Sequence, residues 1–125
     1  MKTRTLIGAT TIVAQLVGGS VSLAGSASAD FCGAREDPFV CTARLNNGPP
    51  NPTEANFLRV VRPFVPTGDQ ENLIAGRTVC TQDGATTDYV AREVGSYLGI
   101  NTKVGAQFVR IANGYLCPNV FFYGG

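Results

Sequence analysis

Four cysteines, Cys32, Cys41, Cys80 and Cys117, do more than any other feature to limit what this chain can become. All lie beyond residue 29, in a stretch of about 100 residues, and a domain of that size buries only a modest share of its surface. An even count of cysteines without close C-x-x-C pairs is the pattern of an oxidised, exported domain. A zinc site built from all four would need such pairs. Four cysteines allow three connectivities, and spacing alone does not choose among them. The arrangement taken as the expectation joins Cys32 to Cys41 across a short loop and Cys80 to Cys117 across a long one. By loop-closure entropy the long bridge contributes roughly 4 kcal/mol and the short one about 2.5 kcal/mol. Those figures are comparable with the whole net stability of a small domain.

The first 29 residues read as a secretory signal peptide. Lys2 and Arg4 give a positive start, and Leu6 to Gly19 form an apolar stretch too short and interrupted to cross about 30 Å of hydrocarbon. Small residues follow, ending in Ala27-Ser28-Ala29, so cleavage is expected between Ala29 and Asp30. The product is expected in the extracellular space or the cell envelope, without a transmembrane segment. Asp30 ahead of Cys32 does not suit lipidation, and the one Asn-x-Thr sequence, Asn51-Pro52-Thr53, is closed to glycosylation by its proline.

Charge and composition exclude several functions. The chain has no histidine, the usual base for a serine or cysteine nucleophile and the commonest metal ligand. Ten basic residues face nine acidic ones for a formal charge of +1, and two of the ten, Lys2 and Arg4, belong to the leader. The remaining bases, from Arg35 to Arg110, never form a run, so neither nucleic acid nor an anionic membrane is an evident partner.

Beyond the leader the reading is all-α, with about four short helices in a small bundle behind an irregular arm. Residues 30–52 show no sustained period and hold Pro49, Pro50 and Pro52, which suggests an arm stapled by Cys32–Cys41 and ending in a stiff linker over Asn46–Pro52. The helical domain is placed at 53–119. Thr53 is the expected cap of a first helix bearing Phe57, Val60 and Val61, which Pro63 ends near Arg62. Thr67-Gly68-Asp69-Gln70 suggests a capping box for a second helix reaching about Gln82, with Gly84 near its C-cap. Leu73, Gly76 and Cys80 share one face of it, and Gly76 permits a close helix approach. Thr86 or Thr87 caps a third helix with the stripe Val90, Val94, Tyr97 and Leu98, closed by Gly99. Asn101 or Thr102 caps a fourth, where Val104, Phe108, Ile111 and Tyr115 form the stripe and Pro118 ends it. A regular helix to Cys117 turns that side chain away from the stripe, so the chain is expected to loosen before Pro118. The tail occupies 120–125.

Asn56-Phe57-Leu58, Gly76-Arg77-Thr78-Val79-Cys80, the run Val90 to Leu98, Gly105-Ala106-Gln107-Phe108-Val109 and Tyr115-Leu116-Cys117-Pro118 together carry a resemblance. The stretch Asn56 to Val120 resembles a family of small secreted proteins, abundant in mycobacteria, catalogued as domain of unknown function 732. Members commonly end in Tyr-Cys-Pro, whereas Leu116 stands between Tyr115 and Cys117 here. The resemblance implies an all-helical, disulfide-linked exported domain and no activity. The arm with Cys32 and Cys41 lies outside it.

Candidate chemistry is sparse. Gly95-Ser96-Tyr97-Leu98-Gly99 departs from G-x-S-x-G, and Ser96 sits within a helix with only Lys103 as a conceivable base. The carboxylates Glu36 with Asp37, Asp69 with Glu71, and Asp88 with Glu93 are simplest as caps, dipole partners or solvated charges. Tyr89, Tyr97 and Tyr115 are possible haem ligands, but Tyr97 and Tyr115 fall on expected core stripes. The expected function is a non-enzymatic envelope or extracellular interaction module, with no cofactor or metal. Its unidentified partner, a protein or envelope component, is expected to meet the aromatic tail at Phe121, Phe122 and Tyr123. The alternative is a carrier of a small apolar ligand such as haem or lipid.

Overall fold

The computed structural model describes residues 32–124. The leader expected at Met1–Ala29, and its cleavage site, lie outside the described residues. Within them are five α-helices: α1 Pro38–Leu45, α2 Pro52–Val61, α3 Asp69–Val79, α4 Thr87–Leu98 and α5 Thr102–Leu116. One isolated parallel β-bridge joins Thr86 to Tyr123. No helix among the described residues is long and apolar enough to cross a membrane. The chain divides into two compact units between Cys41 and Thr42, a point inside α1.

In the first unit Cys32 is bonded to Cys41, the local pairing expected. The arm is not irregular, however. Asp37 Oδ1 accepts the backbone N–H groups of Phe39 at 2.8 Å and Val40 at 3.2 Å, and Pro38 takes the first helical position, so α1 starts there. Asp-Pro is a cap followed by a residue pre-set for the first turn. Eight residues are too few to show a repeating apolar stripe, which is why the helix left no periodic signal.

In the second unit α2 begins one residue earlier than Thr53. Asn51 is its cap: Asn51 Oδ1 accepts Glu54 N–H at 2.8 Å while Glu54 Oε1 accepts Asn51 N–H at 3.0 Å, with Pro52 opening the helix. Phe57, Leu58 and Val61 are its buried residues, and Val60 is only half-buried. The box expected at Thr67 does not form. Gly68 is the cap of α3, and Thr67 Oγ1 instead bonds the buried Asn72 Oδ1 at 2.6 Å.

Residues Asn72 to Val79 of α3 are all buried, and α3 packs against α2, α4 and α5. A Cβ on Gly76 would lie 2.7 Å from Phe57 Cε2 and 3.0 Å from Leu116 Cδ1, so the expected close approach is real. The helix ends at Val79 rather than Gln82. Thr81 N–H and Gln82 N–H reach back only three residues, to Thr78 and Val79, which tightens the chain into a turn.

Thr86 caps α4, Gly99 closes it at φ 71°, and Asn101 caps α5, all as expected. Phe57 and Phe108 meet edge to face in the core, their centroids 5.4 Å apart. The stripe of α5 is rotated from the expected one: Gly105, Phe108, Val109 and Ala112 are buried, Ile111 is half-buried and Tyr115 is 44% exposed. Tyr97 on α4 is likewise exposed rather than core. The cause is backbone contact, since a Cβ on Gly105 would stand 2.4 Å from Ala91 O. The face carrying Gly105 is therefore drawn against α4, and both tyrosines turn outward. Cys117 leaves helical geometry at φ −153° and ψ 66°, which lets it pair with Cys80 across the ends of α5 and α3.

Candidate functional site

The tail after α5 does not hang free. Pro118 has no N–H to continue the helix. Asn113 Nδ2 donates to Cys117 O at 2.8 Å and Val120 O at 3.0 Å, which bends the chain back towards the α3–α4 loop. There Phe121 N–H donates to Asp83 Oδ1 at 2.7 Å and Gly84 N–H donates to Phe121 O at 2.8 Å. Tyr123 N–H then donates to Ala85 O at 3.0 Å, and Thr87 N–H to Tyr123 O at 2.8 Å. The segment is a short extended strip laid along the residues that lead into α4.

Extended backbone sends alternate side chains to opposite sides. Phe121 and Tyr123 form one edge-to-face pair, centroids 5.0 Å apart, with 59% and 57% of their surfaces exposed. Phe122 is half-buried. Of the three aromatics expected to share one contact surface, two are brought together and Phe122 is set apart from them.

A cleft of about 430 Å³ lies between the C-terminal half of α5, Thr87 and the strip. Val109, Val120 and Phe122 give it apolar walls, and Arg110, Asn113 and Thr87 give it polar ones. Arg110 makes no ion pair among the described residues.

The remaining candidates have structural partners. Glu36 accepts Gly33 N–H at 3.1 Å, and Asp37 caps α1. The ligand atoms of Cys32, Glu36 and Cys41 lie within 4.8 Å of one another, but the two sulfurs are bonded together, leaving a single carboxylate there. Asp69 pairs with Arg62, and Asp88 with Arg92, both on the exposed surface. The Arg62 guanidinium holds the Asp69 carboxyl below its usual range and is itself raised in return. Glu71 is exposed in the first turn of α3, and Glu93 is half-buried on α4. Ser96 and Lys103 are both exposed, and no bond joins them. Tyr89, Tyr97 and Tyr115 are exposed, and none lines the cleft.

Sequence reasoning passed over the two residues with the most consequence for the second unit. Arg77 Nε donates to Glu54 Oε2 at 2.7 Å and Nη2 to Glu54 Oε1 at 2.8 Å, with both residues buried. The same guanidinium donates to the carbonyls of Asn46 at 2.8 Å, Gly48 at 3.0 Å and Pro49 at 3.2 Å. The expected linker over Asn46–Pro52 is therefore a strap fixed to α3. Hydrogen bonding from Arg77 holds the Glu54 carboxyl below its ordinary range despite the opposing effect of burial. The available signal was a charged residue one position after Gly76, within the run Leu73 to Val79 that otherwise holds only apolar and small side chains. Asp83, Thr87 and Arg110 gave no signal of that kind.

This is an all-α, disulfide-stapled bundle with an aromatic strip at its C-terminal end. Comparison with protein-family models, characterised proteins and solved structures gives no match.

Proposed function

We propose that the protein is an exported, non-enzymatic interaction module that meets its partner through the ring pair Phe121 and Tyr123. One observation carries this reading: two large aromatic rings stand more than half exposed on backbone that is bonded in place. Aromatics dominate binding hot spots, and a contact surface that is already ordered loses little entropy on association. Export rests on the leader sequence and agrees with the two disulfides. The resemblance to the secreted family implies the same destination.

The test is native mass spectrometry of protein recovered from its own culture medium, comparing wild type with the double variant F121A/Y123A. The wild type should carry a bound partner that the variant lacks, with melting temperatures within about 3 °C because both rings are exposed. Equal partner loading sinks the assignment. Point substitutions are the right tool, because removing Val120 to Gly125 also removes the bonds to Asp83, Gly84, Ala85 and Thr87.

The cleft favours a second reading, carriage of a small apolar ligand. Its volume falls within the usual range of ligand sites, roughly 300–1,000 Å³. A lipid-like chain suits it better than haem, since the three tyrosines considered as iron ligands lie elsewhere.

A further inference from the structure

We infer that the cleft takes a small amphiphile bearing a single carboxylate, with Arg110 and Thr87 receiving the head and Val109, Val120 and Phe122 the apolar chain. The inference rests on the carrier reading of the cleft and names its ligand class. Of the two outward-facing rings, Phe121 also lines the cleft and Tyr123 does not.

Three observations select the charge. First, the only charged residues of α5 and the strip are Lys103 and Arg110, both cationic, so neither wall supplies Arg110 with a partner. The nearby acids on the other elements are already engaged, Asp88 with Arg92 and Asp83 with Phe121 N–H. Second, Thr87 is only 6% exposed and lines the cleft, yet its hydroxyl makes no hydrogen bond among the described residues. A buried hydroxyl without a partner is costly, and most such groups are satisfied in folded proteins. Third, both amide hydrogens of Asn113 are used in holding the turn, so this side chain has no further donor to offer. The side-chain donors left are therefore the Arg110 guanidinium and the Thr87 hydroxyl. A carboxylate accepts from both, and a guanidinium binds it with charge-assisted, directional bonds. An ammonium head meets a like charge at Arg110, and a neutral alcohol forgoes the ion pair and the two-pronged contact. The volume suits a small ligand rather than a folded partner, because about 430 Å³ is the space of one modest molecule.

The experiment is calorimetric titration of the intact disulfide-bonded protein with decanoate, decanol and decylammonium, each below its aggregation limit. Amide shifts at Thr87 and Arg110 are followed by NMR in parallel. Decanoate should bind about tenfold or more tighter than decanol, the span of a hydrogen bond to a charged group. Arg110→Gln should bring decanoate close to the level of decanol while weakening decanol itself far less. Thr87→Val should weaken decanoate severalfold with no loss of melting temperature, since the hydroxyl it removes has no partner among the described residues. Equal binding of decanoate and decanol overturns the carboxylate assignment and leaves the carrier reading standing. Binding of none of the three overturns both, and decanoate binding that survives Arg110→Gln places the head elsewhere and overturns the site.

Discussion

Arg77 and Glu54, separated by 23 residues, form a two-pronged ion pair beneath the surface, with N–O distances of 2.7 and 2.8 Å. Glu54 is at the same time half of the capping box that starts α2. One carboxylate therefore begins one helix and clamps another, and its partner guanidinium also holds three carbonyls of the strap. Those carbonyls belong to exposed residues, so water can replace Arg77 there. Glu54 has no such substitute.

Arg77→Met should be strongly destabilising for that reason. Removing one member of a buried pair costs about 3–5 kcal/mol, chiefly through the charge left behind. In a domain this small the melting temperature should fall by roughly 15 °C or more. The double variant E54Q/R77M should lose less than the two single losses added together, since it leaves no orphaned charge. Thermal unfolding of all four proteins gives the cycle directly. A single-variant loss under a few degrees, or strict additivity, contradicts the clamp.

The same pair sets an acid limit. The folded-state carboxyl of Glu54 lies below its ordinary 4.5, so its contribution to stability is complete above about that pH. It is lost as pH falls through the lowered folded value. Asp69 is shifted in the same direction by Arg62, but that pair is exposed and screened by salt. Urea unfolding in about 1 M salt, from neutral pH downward, should show the acid loss in the wild type. Glu54→Gln should flatten it. A profile unchanged by that substitution would place the acid sensitivity elsewhere.

Two glycines of α5 should respond in opposite directions to alanine. Gly105 faces the backbone of Ala91, where a Cβ would lie 2.4 Å from the carbonyl oxygen. Neither backbone can yield alone, so Gly105→Ala should cost about 2 kcal/mol or more as the helices are pushed apart. Gly114 has nothing within 4 Å of the same position, and Gly114→Ala should stabilise by about 0.5–1 kcal/mol through helix propensity. Chemical denaturation of both variants is the check. Matching signs would mean that α4 and α5 do not approach as described.

The two bridges should differ in weight. Cys80–Cys117 spans 37 residues and joins the ends of α3 and α5, whereas Cys32–Cys41 spans nine. Loop entropy gives about 4 kcal/mol for the first against about 2.5 kcal/mol for the second. Cys80→Ala should therefore lower the melting temperature further than Cys32→Ala when helicity is followed by circular dichroism. Equal losses, or a larger one for Cys32→Ala, would reverse that ranking.

What the sequence disclosed and what it concealed divide by range. The caps at Thr86 and Asn101 and the left-handed Gly99 are decided within four residues, and each was readable. So was the close approach at Gly76, because a glycine on an apolar helix face has few other uses. The rotation of α5 was not readable: it depends on Gly105 meeting Ala91 O, a contact between two helices, and it reverses the burial expected for Tyr115. The clamp of Arg77 on Glu54 and the strap is hidden for the same reason. At the candidate site the aromatic residues were visible, but their sorting was not. Gly84 reads only as the neighbourhood of a helix C-cap, and nothing local says that Phe121 will bond to it or to Asp83.

The position of α3 has a consequence for how the chain assembles as it emerges. Its partners are split in time. Asn46, Gly48, Pro49 and Glu54 precede Arg77, so the clamp can close once α3 is out, whereas Cys117 and the strip arrive only with the last residues. A chain that emerges N-terminus first presents its earlier residues to one another before the later ones exist. Cys32 and Cys41 are then presented together while Cys80 is still withheld, and Cys80 waits alone for Cys117. Sequential presentation thus favours the connectivity the structure shows over the two alternatives.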